Sequence, residues 1–393
     1  MTRVPIGVWV LGVVSMLMDI SSEMIHSLLP LYLTVGLGAS ALVVGVIEGI
    51  AEATALIVKV FSGTLSDRWR KRQAITAFGY GLAAFSKPLF AIATGPFLVF
   101  FARFLDRIGK GIRGAPRDAL IADLTAKEIR GAAFGLRQSL DTVGAFTGPL
   151  LAVALMLAWN DDFRAVFWVA VIPAILSFLL VVFAVKDPQA PLEAAEAGKA
   201  EKVSLDRTTM SKLGAAFWGI TAAATAMTLA RFSEAFLILR GNDLHMELAY
   251  APLILVGMNV VYAATAYPVG RLADRMSPRT LLFVGIAFLV AADIVLAMAS
   301  NLVALAVGIA LWGLHMGFTQ GVFSAMVAHA SPAALRGTAF GVFNLASGIA
   351  MLVASALAGA LWQFVGPGAT FVSGAALAAL SFVITLLAIR NSR

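Results

Sequence analysis

Carboxylates and bases recur at helical spacing inside stretches of this chain that are otherwise apolar. Asp19 and Glu23 stand one turn apart, and His26 continues their face. Glu48 and Glu52 repeat that spacing, with Lys59 two turns further along. Arg103, Arg107 and Lys110 share one helical face with Asp106 beside them, and a later helix adds Arg137 and Asp141. At a rise of about 1.5 Å per residue, Asp19, Glu52, Arg107 and Asp141 each fall near the midpoint of an apolar run, where they could meet. Charges so placed are costly and mark either a pathway or a permanent pair. A carboxylate beside an arginine stays ionised until the two separate; a desolvated carboxylate left behind then gains by taking up a proton. Proton and solute could therefore use the same charges in turn. Structural pairing is the competing expectation for Glu48, Asp106 and Arg137, and direct handling of solute or proton is the expectation for Asp19, Glu23 and Arg107.

The second half of the chain is poorer in charge. Arg231 and Glu234 are three residues apart and can pair locally. Asn259 and Tyr262 follow, then Trp312, His315, Gln320 and Asn344. Trp312 and His315 could line a cavity wall, or be a packed aromatic and a hydrogen-bonded core histidine. One charged wall and one aromatic, amide-bearing wall would suit a solute with a charged group and an organic body. Its sign stays open: Arg103 and Arg107 favour a carboxylate or phosphate, and Asp19, Glu23 and Glu52 an amine or metal chelate. The four histidines are scattered without metal-ligand spacing and cysteine is absent, so no structural metal, disulfide or thiolate chemistry is expected.

The elements that must hold these groups are set by composition. Of 393 residues 60% are hydrophobic and 13% charged, with mean hydropathy +0.90. Only lipid can solvate that much apolar surface, and runs of this length without strict alternation favour helices over a barrel. Twelve runs are long enough to span, near 8–33, 41–65, 74–94, 97–120, 130–157, 163–186, 213–239, 248–273, 279–299, 301–326, 336–362 and 367–390. The first has no cleavage pattern and is expected to be a retained helix. The net charge of +7 does not read as a nucleic-acid surface, because twenty of the 29 Lys and Arg fall in the termini and alternate loops, Arg113–Arg130 among them. Opposite loops hold only Arg164 and Arg240. That asymmetry predicts cytoplasmic termini.

The chain also repeats itself. Gly63 and Asp67 recur as Gly270 and Asp274, 207 residues later. Arg130–Gly135 (RGAAFG) recurs as Arg336–Gly341 (RGTAFG) after 206, and Ser22-Glu23 as Ser233-Glu234 after 211. Three blocks in one order at nearly constant offset mark an internal duplication around the long polar stretch 187–212. The charge was not copied: Glu52, Arg137 and Asp141 correspond to Asn259, Phe343 and Ser347.

The loop Gly63-Thr-Leu-Ser-Asp67-Arg68, with Lys71 and Arg72 after it, resembles the signature loop of the major facilitator superfamily, with Arg70 where that family usually has a second glycine. Arg103 resembles the family's fourth-helix arginine, and Gly144-Ala-Phe-Thr-Gly148-Pro149 its fifth-helix antiporter motif. Leu105–Asp123 is similar to a prokaryotic permease branch of mostly unassigned substrate. The resemblance covers nearly the whole chain. It implies an all-α integral membrane protein of twelve transmembrane helices in two pseudo-symmetric six-helix bundles, 1–186 and 213–393, joined by a cytoplasmic linker 187–212. Helices 1, 4, 7 and 10 would line the cavity, which makes Asp19, Glu23, Arg103 and Arg107 the foremost candidates, with Glu52, Arg137, Asp141, Glu234, Asn259, Trp312, His315 and Asn344 around them.

The gating expectation rests on Gly63, Asp67, Arg68 and Arg72, on Gly144, Gly148 and Pro149, and on Gly270 and Asp274. Asp67 could cap a helix beginning near Arg336 and latch one side shut. The implied function is a secondary active transporter of a small charged or amphipathic organic solute, working by alternating access as a proton-coupled antiporter for efflux. The proton gradient would supply the energy with no cofactor, and the protein would act as a monomer in the inner membrane of a prokaryote. Import of an organic anion or metal chelate by proton symport is the alternative. A lipid-acting membrane enzyme would want an interfacial catalytic cluster, a sensor would want a large soluble domain, and no phosphate-binding loop indicates direct use of ATP.

Overall fold

A computed structural model describes residues 4–69, 71–126, 129–187, 210–273, 276–332 and 335–390. Among them there is no strand. The first six helices are α1 (Ile6–His26), α2 (Ala41–Trp69), α3 (Arg72–Ala91), α4 (Pro96–Asp123), α5 (Arg130–Ala158) and α6 (Phe163–Ala184). The second six are α7 (Gly214–Ala230), α8 (Leu253–Ala273), α9 (Pro278–Met298), α10 (Leu302–Ala330), α11 (Arg336–Phe364) and α12 (Pro367–Arg390). Among the described residues ten spans are long and apolar enough by themselves to cross a bilayer; α3 and α4 fall short because they carry more polar residues.

Local chemistry fixes several starts. The Asp162 carboxylate accepts from the backbone N–H groups of Arg164 (3.0 Å) and Ala165 (3.1 Å) at the head of α6. Asn301 does the same for Ala304 N–H at 2.9 Å under α10, and Ser277 for Thr280 N–H at 3.2 Å under α9. Outward faces are apolar, with Phe78, Phe85, Phe97 and Phe183 all exposed, as lipid-facing surface requires.

Two expectations change. The seventh span is not one helix: α7 ends at Ala230, residues 231–234 leave the helical path, and a second piece runs Ala235–Asp243. The first span breaks comparably after His26, resuming at Leu29–Leu31 and a π turn Tyr32–Gly36. Arg231 and Glu234 therefore sit in an unwound segment instead of sharing a helix face. The second change is α4, which runs to Asp123, so Arg113 and Arg117 are helical residues and not part of a basic loop. Arg113 is buried, its guanidinium 4.8 Å from the centre of the Tyr80 ring.

The chain forms two compact units, residues 1–32 with 54–200 and residues 33–53 with 201–393. The six-plus-six division expected from the linker differs from this in residues 33–53, which hold the first half of α2. Glycines explain that placement. A Cβ on Gly49 would meet the Leu352 carbonyl at 3.0 Å, and one on Gly359 the Ala41 carbonyl at 2.7 Å, so the start of α2 and α11 approach at backbone distance. In the first unit the core lies between α1, α3 and α6 around Val14, Met18, Tyr80 and Ala174. In the second, Leu213, Phe217, Val327 and Ala339 join α7, α10 and α11. Neighbour relations repeat: α3 packs on α4 and α6, and α9 on α10 and α12.

Candidate functional site

The first unit brings most of the charged residues together, and glycines set their spacing. On α5, a Cβ at Gly144 would stand 2.6 Å from the Met16 carbonyl and 3.0 Å from Asp19 Cβ. At Gly148 the distances are 2.7 Å to the Ile20 carbonyl and 3.0 Å to Glu23 Cβ. The Gly-x-x-x-Gly-Pro motif is thus the bed on which α1 lies, directly behind Asp19 and Glu23, with Pro149 buried at its end. Asp141, one turn before Gly144, comes within electrostatic reach of Asp19, as do Lys110 and Arg113 from α4. Glu23 has His26 Nδ1 at 3.4 Å and lies in reach of Lys110 and Arg107.

Arginines extend this cluster into a line. Arg137 pairs with Asp141 on its own helix and donates to Asp118 of α4 at 3.2 Å. Asp118 also accepts from Arg117 at 3.2 Å, and Arg117 donates to Ser15 Oγ of α1 at 2.8 Å. Ser15 in turn lies 3.1 Å from the Tyr80 hydroxyl. Acids on α1 and α5 face bases on α4, with side-chain bridges between them. Such an arrangement can bind an ionised group of either sign by exchanging one internal partner for it.

A second charged feature lies deeper and has a different character. Lys87 Nζ donates to Asp106 Oδ1 at 2.8 Å and to Ser22 Oγ at 2.9 Å. Both ionic side chains are almost wholly buried, at 1% and 3% exposure, and Arg107 stands 3.9 Å from the other Asp106 oxygen. This is a satisfied, closed ion pair holding α3 to α4 and α1, which is the structural role foreseen for Asp106. Arg103 and Arg107 are themselves buried on the same helix.

Sequence reasoning passed over Lys87, Arg117, Asp118 and Tyr80. Lys87 was detectable as a lone cation in an apolar run; Arg117 and Asp118 fall inside the run 97–120 but were counted with the basic loop, and Tyr80 of α3 looked like an ordinary core residue.

Other expected residues fall elsewhere. Glu52 belongs to the segment of α2 that packs in the second unit, where it is half-buried. Glu234 opens the second piece of the broken seventh span. Asn259 on α8 and Asn344 on α11 are half-buried. Trp312 and His315 are fully buried: Trp312 packs on Phe232 with centroids 5.5 Å apart, and His315 Nδ1 donates to the Gly285 carbonyl at 2.9 Å. Of the gating residues, Arg72 pairs with Asp123 and donates to the Ala119 carbonyl at 3.3 Å, tying the head of α3 to the tail of α4. Gly270 is exposed, and nothing approaches the position of its missing Cβ. Gly63, Asp67 and Arg68 lie in the last turns of α2, with side chains outside the described residues, and Asp274 lies outside them altogether. Among the described residues no group of three His, Cys, Asp or Glu could hold a metal ion.

Comparison with known proteins agrees with this architecture. The family model described as Major Facilitator Superfamily matches residues 11–258 and 216–393. An uncharacterized MFS-type transporter of Methanocaldococcus jannaschii is 30% identical over 386 residues, covering 97% of this chain and 94% of that protein. The multidrug resistance protein MdtH of Citrobacter koseri is 30% identical over 161 residues, 41% of this chain and 39% of its own length. Among solved structures, a mutant of the nucleoside transporter NupG superposes with TM-score 0.81 at 13% identity, over 97% of this chain and 99% of the other, a likeness of fold alone.

Proposed function

The chain belongs to the major facilitator superfamily, and from that premise we propose that it is a proton-coupled antiporter exporting a small charged or amphipathic organic solute. It is a multi-pass membrane transporter and not an enzyme. The observation that carries the finer reading is the division of charge in the first unit. Lys87 and Asp106 are locked together, whereas Asp19 makes no hydrogen bond or ion pair among the described residues and lies within electrostatic reach of Asp141 and of Lys110 and Arg113 on α4. Asp19 is therefore the carboxylate available for exchange. With a cationic solute group against it, the proton is displaced; when the solute leaves, Asp19 next to Asp141 is stabilised by accepting a proton, since two close carboxylates repel. Arg107 and Lys110 would orient an anionic or polar part of the same solute.

Export is supported by the name of the MdtH relative and by the antiporter-type glycines on α5. In this reading the protein works by alternating access in a prokaryotic cytoplasmic membrane with both termini inside, as a monomer, and needs no cofactor beyond the proton gradient. The test is solute flux in proteoliposomes under an imposed pH gradient, using a panel of labelled organic cations and amphipathic drugs. Wild-type protein should accumulate solute in the acidic compartment, solute entering it as protons leave down their gradient. Asp19→Asn, neutral like the protonated acid and without a charge to offer a cationic group, should lose pH-driven accumulation. Accumulation that ignores the pH gradient in wild type overturns the proposal.

A further inference from the structure

The second unit holds a carboxyl that the scheme above does not use. Asp293 on α9 is fully buried, and neither of its oxygens has a hydrogen-bond partner among the described residues. It is packed tightly: a Cβ on Gly374 of α12 would stand 2.5 Å from Asp293 Oδ2 and 3.0 Å from the Phe232 ring. Phe232, in the break of the seventh span, has the rings of Trp312 and Phe371 each 5.5 Å away. The acid thus lies beside an aromatic cluster.

The internal repeat shows what this position was matched to. α3 starts at Arg72 and α9 at Pro278; α4 starts at Pro96 and α10 at Leu302, the same offset of 206. Contacts keep that register. Gly79 crosses α4 at Gly109 and Arg113, and Gly285 crosses α10 at His315 and Thr319. The Ala93 carbonyl after α3 accepts from Arg164 and Tyr32, and the Ala299 carbonyl after α9 accepts from Arg240. In this register Lys87 corresponds to Asp293, and its partner Asp106 to Trp312. The closed ion pair of the first unit has become an acid with no base, and an indole whose N–H is also without a partner.

Among the described residues, nothing packed against α9 supplies the missing cation. Its neighbours are α8, α10 and α12. Their basic residues are Arg271, His315, His329 and Arg390. Arg271, His329 and Arg390 lie at the far ends of their helices, and His315 is engaged with Gly285, two turns back along α9. In the break, Phe232 is flanked by Arg231 and Glu234, one charge of each sign. A bare carboxylate in such surroundings is not sustainable, and the packing at Gly374 leaves no room for a solute or a hydrated ion. A proton fits.

We propose that Asp293 is a second proton-binding site, located in the second unit and separate from the Asp19 cluster. One carboxylate oxygen takes a proton from water to form an O–H bond, and the neutral acid is the form present in this packing. Its participation in transport rests on the proton coupling proposed above, but its occupancy by a proton does not.

Infrared difference spectroscopy on the full-length protein in lipid tests it. At neutral pH the wild type should show the C=O stretch of an undissociated carboxylic acid, sensitive to deuterium. Asp293→Asn should lose that band, and Gly374→Ala, whose added methyl presses on Oδ2, should shift it. A spectrum unchanged by Asp293→Asn overturns the proposal. Should that variant not fold, the wild type labelled with 13C-carboxyl aspartate decides: an acid resonance undissociated at neutral pH in an Asp19→Asn background supports the site, and its absence refutes it. An undissociated Asp293 with pH-independent flux would sink the coupling and leave the site standing. Flux driven by pH with Asp293 ionised would do the reverse.

Discussion

Replacing Lys87 by methionine removes a charge from the most completely enclosed ion pair of the first unit. Lys87 and Asp106 are 1% and 3% exposed and 2.8 Å apart, and Ser22 completes the ammonium's coordination. Removing one partner leaves Asp106 ionised without its base in a dry interior, a change that costs about 3–5 kcal/mol. Arg107, 3.9 Å from the carboxylate, offsets part of this, which places the expectation toward the lower figure. At about 2–4 °C per kcal/mol for a unit of this size, the thermal midpoint should fall by roughly 6–12 °C. Fluorescence-detected size exclusion after heating reads that shift directly. The double variant Lys87→Met with Asp106→Leu should recover most of the loss, because removing both charges also removes their desolvation cost. If Lys87→Met melts with wild type, the pair is not closed. If the double variant is no better than the single, the loss comes from packing and not from charge.

Other expectations follow from contacts already described. Gly144→Val puts side chain into the Met16 backbone and should destabilise by about 1–3 kcal/mol or more, whereas Gly135→Ala, with open space at its Cβ, should stabilise by about 0.5–1 kcal/mol; thermal midpoints of the two variants check both signs. Arg240→Gln removes donors from the buried carbonyls of Leu296 (3.1 Å) and Ala299 (2.6 Å) and should lower stability by about 2–3 kcal/mol, with hydrogen exchange rising first at the end of α9.

Fold and repeat were legible because both depend on summed properties. A hydrophobic run of twenty residues has few alternatives in lipid, and a duplicated Gly-x-Leu-x-Asp-Arg turn survives as letters. The charged cluster on α1, α4 and α5 was legible for a similar reason: Asp19, Arg107 and Asp141 are expensive wherever the helices put them. What could not be read was partnership. Whether Asp106 meets Lys87 or Arg107 depends on which faces of α3 and α4 meet, and a crossing set by Gly79 and Gly109 carries no marker in the sequence. The break after His26 is marked by Pro30, which has no N–H to donate to the His26 carbonyl, but the break at Arg231–Glu234 was hidden, since it contains neither proline nor glycine. Asp293 went unnoticed because one acid in an apolar run looks accidental until its counterpart, Lys87, is known.

Glycines at backbone contact divide the first unit mechanically. α1 and α5 are joined at Gly144 and Gly148, and α3 and α4 at Gly79 and Gly109, each with less than a methyl group of space between backbones. Those joints make two stiff plates. Across the boundary of the plates run side-chain bridges: Arg117 to Ser15, Lys87 to Ser22, Arg137 to Asp118. One plate carries Asp19, Glu23 and Asp141, and the other Arg107, Lys110 and Arg113. Distances among the acids are therefore fixed, and so are distances among the bases; Val14, Met18, Tyr80 and Ala83 pack the two plates together, and between the two sets of charges the links are side chains alone. A solute wedged between the two sets would act on every acid–base separation at once, so a small tilt of one plate would register as a collective change in charge pairing.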